Sequence, residues 1–170
     1  MGSDCTVSKS RNPVVTAILT FLTQIGIRFE LVELPQATFL PGLDLRNGVL
    51  LIDEARLRYP GDILHEAGHL AIVPAQRRIT VNHDAGADGG EEMAAIAWSY
   101  AAALYLQIEP KVVFHGHGYR GGAQAILENF AQGRYFGVPV LQWLGMTMDG
   151  KTAKEHGIPA YPQMSRWVVD

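Results

Sequence analysis

The chain has 170 residues, 48% hydrophobic and 18% charged, with a formal net charge of -3. That length predicts one globular domain with a sizeable core, and a slightly acidic balance gives no electrostatic footprint for nucleic acid. The lone Cys5 excludes an internal disulfide and fits a reducing, cytoplasmic compartment, and no apolar run approaches the roughly 20 residues needed to span a membrane.

Residues 1–11 are polar and read as a disordered tail, which leaves 12–170 as the domain. Asn12 and Pro13 form a cap and first-turn pair for a helix that Gly26 closes. Extended patterns follow. Arg28–Leu34 alternates, Thr38–Leu45 is a strand broken by Pro and Gly, and Asn47-Gly48 is a hairpin turn into a strand at Val49–Asp53. A helix capped by Asp62 should run through His65–Val73 until Pro74 ends it. Arg78–Val81 reads as a short strand before an Asp/Gly-rich loop, and an Ala-rich helix then extends from Glu91 to about Gln107. Beyond Pro110 the pattern gives a short strand at Val112–Phe114, a Gly/His loop at His115–Gly122, a helix at Ala123–Gln132 and an apolar segment at Val138–Leu144. From Asp149 onward it gives mostly coil. The class is α+β: an N-terminal helix, a small and mostly antiparallel sheet, then helices.

The chemistry concentrates in His65-Glu66-Ala67-Gly68-His69, an H-E-x-x-H pattern. Residues four apart share a helical face, so two imidazoles can hold one metal ion while Glu66 projects beside it. Neutral imidazole suits Zn2+, which keeps an open position for water and lowers that water's pKa to about 7. A neighbouring carboxylate can take the proton as water attacks an amide and return it to the leaving amine.

On this motif, its helix and the strand ahead of it, the sequence resembles the zincin metallopeptidases. The strand Val49–Asp53 is then where an edge could offer backbone pairing to a peptide. The resemblance implies a third metal ligand. A metzincin would need Gly at position 72 and His at 75, where this chain has Ile72 and Ala75. Glu91 and Glu92 open the Ala-rich helix as the ligand Glu does in gluzincins, with Glu92 preferred. The bland alternative is that both are first-turn acids favoured by the helix dipole. Asp84, Asp88 and His83 rank lower and read as loop residues. The resemblance covers residues 44–107 and is similar in layout to short intracellular metallopeptidases that control phage-type repressors. Where such relatives carry a polar residue one turn past the ligand Glu, this chain has Ala95 or Ile96.

A second polar cluster, His115 to Gly122, contains His117, Tyr119 and Arg120, any of which could stabilise an oxyanion or hold a substrate carboxylate. It reads equally as a flexible turn with exposed polar residues. The sequence thus leads to zinc-dependent hydrolysis of an amide, with a peptide or protein as substrate and no nucleic acid or membrane partner. The alternative is a non-catalytic metal-binding regulatory module that retains the fold.

Overall fold

The computed structural model describes residues 12–82 and 88–170; the N-terminal tail and residues His83 and Asp84 lie outside them. The architecture is α+β, with a three-stranded sheet and a set of helices that pack mainly on one another, the motif-bearing helix also touching the sheet at the strand Val49–Ile52. Helix α1, Pro13–Ile25, starts where the Asn12 side chain accepts from the Val14 N–H at 2.9 Å and ends at Gly26, in the left-handed conformation at φ 78°. It buries Val15, Ile18, Leu19, Phe21 and Leu22 in the core.

The strands β1 (Phe29–Leu31), β2 (Leu43–Arg46) and β3 (Val49–Ile52) are shorter than the sequence suggests. Pro41 and a left-handed Gly42 interrupt the earlier part of the expected second strand, and Gly42 packs so closely on the backbone at Arg56 and Leu57 that a Cβ there has no room. The Asn47-Gly48 turn, both residues at positive φ, joins β2 and β3 as an antiparallel hairpin, while β1 pairs parallel to β3. The order β1-β3-β2 corrects one expectation. The strand entering the motif helix is central, because β1 occupies its other side, and the edges of the sheet are β1 and β2.

Helix α2, Gly61–Ala71, carries the motif, and α4, Gly89–Tyr105, is the Ala-rich helix. They form the closest helix pair because small residues meet: a Cβ on Gly68 would lie 3.0 Å from the Ala95 carbonyl oxygen. Between them, the expected strand at Arg78–Val81 is instead the end of a short helix, α3 (Ala75–Arg78). The Arg78 guanidinium donates to the carbonyls of Leu70, Val73 and Val169, which ties this segment to the end of α2 and removes it from the sheet.

The expected strand at Val112–Phe114 is also absent. Pro110 starts a 3₁₀ turn, Pro110–Val112, and Phe114 enters the core. Helices α5 (Ala123–Ala131) and α6 (Val138–Trp143) follow, and the tail read as coil forms α7, Gly150–His156. Asp149 caps α7 by accepting from Lys151 N and Thr152 N, and Gly157 closes it at φ 64°. The C-terminal segment packs behind the motif helix: Val169 N donates to Ala71 O at 2.9 Å, and Trp98 Nε1 to Trp167 O at 2.8 Å. Among the described residues no helix is long and apolar enough to cross a membrane.

Candidate metal centre

On α2, His65, Glu66 and His69 occupy adjoining positions one turn apart, with His69 buried and the other two half-buried. The two imidazoles meet edge to face, with Nε2 of His65 3.2 Å from Nε2 of His69. Because α4 lies against Gly68, its first turn reaches the same point. The Glu92 carboxylate is 3.5 Å from His65 Nε2 through one oxygen and 3.1 Å from His69 Nε2 through the other.

These three separations fit a metal ion. A tetrahedral zinc with bonds of about 2.0–2.1 Å holds its donors about 3.3 Å apart, and two imidazoles with one carboxylate are donors that zinc accepts. His65, His69 and Glu92 can therefore hold such an ion with little movement. The Nδ1 atoms of both histidines are buried and have no partner among the described residues. Ring packing orients them instead: His65 stands edge-on to Tyr119 at 5.2 Å as well as to His69.

The electrostatics favour a charged acceptor among these groups. Burial alone would raise the Glu92 pKa, but hydrogen bonds to His65 and His69 overcome it and hold the carboxyl well below its usual range. Burial likewise would lower the His65 pKa, yet Glu92, Glu66 and Asp62 raise it. For Glu66 burial wins: its carboxyl is raised above the ordinary value, against the opposing pull of the two histidines. Glu66 also lines a groove of about 390 Å³ that runs along β2 and the loop from Leu34 to Leu40.

Glu91 takes no part in this cluster. Its carboxylate forms a two-pronged pair with the Arg77 guanidinium on α3, with Arg77 Nη2 donating at 3.0 Å. Asp88 is the N-cap of α4, accepting from Gly90 N at 2.7 Å.

Of the residues in the Gly/His loop, Tyr119 reaches the cluster, whereas His117 and Arg120 are exposed. Tyr119 and Arg120 both adopt left-handed backbone, φ 55° and 50°, a conformation costing non-glycine residues of order 1–3 kcal/mol each. That turn drives the Tyr119 ring between His65 and Phe114, 5.2 Å from each. Its hydroxyl is buried with no partner among the described residues. Burial and the carboxylates of Asp62, Glu92 and Glu66 raise its pKa well above that of an ordinary phenol, so it is a donor at neutral pH.

Sequence reasoning missed the roles of Asp62 and His115. Asp62 makes no capping bond; its buried carboxylate lies 2.8 Å from His115 Nε2. The available signal was spacing, since Asp62 precedes His65 by three residues and Glu66 by four and so shares their helical face. Comparison with family models, curated proteins and solved structures gives no significant match for this chain.

Proposed function

We propose that the chain is a zinc-dependent hydrolase that cleaves peptide bonds, with His65, His69 and Glu92 as metal ligands and Glu66 as the general base. The observation that carries this reading is the cluster of donors, with two imidazole nitrogens and the two oxygens of one carboxylate in contact at 3.1 to 3.5 Å, gathered from two helices beside a carboxylate whose pKa burial has raised. When bound, the ion would supply Lewis acidity and bring the pKa of water down to about 7. Glu66 accepts a proton from the attacking water and returns it to the leaving amine, and its raised pKa moves it toward working pH. The Tyr119 hydroxyl, buried and without a partner among the described residues, donates to the oxygen of the carbonyl under attack.

An extended peptide suits the groove. Gly42 and Asp53 form a hydrogen-bonded pair, so by alternation the peptide groups of Leu43 and Leu45 face away from β3. Their N–H groups already bond Leu40 O and the Asp44 side chain, and Leu43 is bridged to Leu40 on its outer side, so the Leu45 carbonyl is the group placed to accept from substrate. The single cysteine supports a cytoplasmic setting.

Metal content after chelator-free purification, together with hydrolysis of a peptide library by wild type and Glu66→Gln, tests the assignment. Stoichiometric zinc in both proteins, and a loss of roughly 100- to 10,000-fold in kcat for the variant, are expected. A wild type without metal, or a variant that hydrolyses as well as wild type, rejects it. The bare Nδ1 atoms of His65 and His69 favour a second reading, a metal-binding regulatory module without turnover, since ligating histidines usually gain support through that nitrogen. Stoichiometric zinc with no hydrolysis of the library selects that reading.

A further inference from the structure

The His115–Asp62 contact joins the Gly/His loop to the motif helix, and neither residue is part of the His65–His69–Glu92 cluster. His115 is clamped on two sides. Its Nε2 meets the buried Asp62 carboxylate at 2.8 Å, and its ring stacks on Tyr59 with centroids 3.9 Å apart and planes 13° from parallel. The backbone then folds back over the ring, so that a Cβ on Gly118 would lie 3.2 Å from His115 Cε1. Directly after Gly118 come the two left-handed residues, and Tyr119 enters the site. The turn before His115 is anchored too, because Gly61 packs on the backbone of Val112 and Val113 with no room for a side chain. Two strained residues and a buried, unpartnered hydroxyl are costly features that persist only where surrounding contacts enforce them.

We propose that Asp62 and His115 are positioning residues: their pairing holds loop 115–121 on the motif helix and fixes the Tyr119 ring edge-on to His65 with its hydroxyl buried. The catalytic consequence rests on the hydrolase reading; the positioning itself does not. Asp62 accepts from His115, Tyr59 fixes the plane of the ring, and the ring sets the path of the chain through Gly118. Tyr119 is then delivered with its hydroxyl already desolvated and free to donate.

Two measurements on the full chain decide the proposal. The first is nitration by tetranitromethane mapped by mass spectrometry, with the exposed Tyr105 as internal control. Tyr119 should be protected in wild type and in Asp62→Asn, whose amide oxygen can still accept from His115, and labelled severalfold faster in Asp62→Ala and His115→Ala. Wild-type protection of Tyr119 in both alanine variants overturns the proposal, and retained circular dichroism and labelling of Tyr105 exclude global unfolding as the cause of any gain. The second is a double-mutant cycle on hydrolysis. His115→Ala should lower kcat roughly 10-fold with KM unchanged, less than the about 100- to 1,000-fold that removal of an oxyanion donor costs. It should cost nothing further in a Tyr119→Phe background. Full additivity means His115 acts independently of Tyr119 and rejects the assignment. If wild type hydrolyses nothing, the hydrolase reading fails alone, and the nitration result still decides the positioning role.

Discussion

Nε2 of His69 on α2 and the Glu92 carboxylate on α4 lie 3.1 Å apart, and this contact separates two adjacent acids between which the sequence gives only a slight preference for Glu92. Glu91 is held by Arg77 instead. Glu92→Ala should therefore lose zinc, with affinity falling by more than the roughly 10- to 100-fold typical of losing an outer-sphere partner. Glu91→Ala should bind zinc as wild type does and lose only an exposed ion pair, worth at most about 1 kcal/mol of stability. Titration with a competing chelator measures both, and the opposite ranking would transfer the ligand role to Glu91.

Zinc affinity should depend on pH in a defined direction. A metal ligand must be a neutral imidazole, and Glu92, Glu66 and Asp62 raise the His65 pKa above 6.5 against the opposing effect of burial. Protons therefore compete with the ion at His65 until the pH passes that raised value, and affinity climbs with pH up to it. Two imidazoles with an ordinary pKa of 6.5 would together give only about a 1.6-fold gain between pH 7 and 8. A larger gain is expected, and chelator competition at both pH values provides the check. A gain no larger than roughly 1.6-fold would show that the neighbouring carboxylates do not raise the His65 pKa.

The motif half of the candidate site is legible in the sequence because it is local. Helical spacing alone puts His65, Glu66 and His69 on one face, and the run of small residues in α4 announces a close helix contact. The choice between Glu91 and Glu92 is only weakly legible, as a slight preference for Glu92, since both lie within one turn of Ala95 and the outcome depends on Arg77, fourteen residues from Glu91. The Asp62–His115 contact spans fifty-three residues, and no local pattern encodes it. The same limit explains the fold errors. Arg78–Val81 has strand-like residues, but the Arg78 hydrogen bond to the Val169 carbonyl is a tertiary contact, and β3 became central only because β1 pairs with it across the chain. The missed α7 is different: Asp149 and Gly157 are ordinary cap signals, outweighed in the sequence reading by the nearby prolines.

Gly61→Ala tests the packing beneath the site. Alanine is the better helix former by up to about 1 kcal/mol, so propensity alone predicts stabilisation. Its Cβ, however, would run into the backbone of Val112 and Val113, which cannot rotate away as a side chain could. Overpacking of this kind costs about 1–3 kcal/mol, and it should win. Urea unfolding should show a lower midpoint, and an unchanged or raised midpoint would mean that the 3₁₀ turn is not held against α2.

Phe39 offers the most direct test of where substrate runs. It is 99% exposed at the rim of the groove along β2, so its removal takes almost nothing from the folded core. A peptide lying on that edge would cover the ring, and full burial of an aromatic side chain is worth about 1.5–3 kcal/mol. Partial cover corresponds to about 1.4 kcal/mol, or a 10-fold change in binding. Phe39 is remote from the reacting bond, so the contact should be the same in the ground and transition states. Phe39→Ala should accordingly raise KM about 10-fold on an extended peptide while kcat and thermal stability stay at wild-type values. An unchanged KM would mean that the substrate reaches Glu66 from another side. A matching fall in kcat would mean that the loop from Leu34 to Leu40 organises the reacting groups and does not merely hold the peptide.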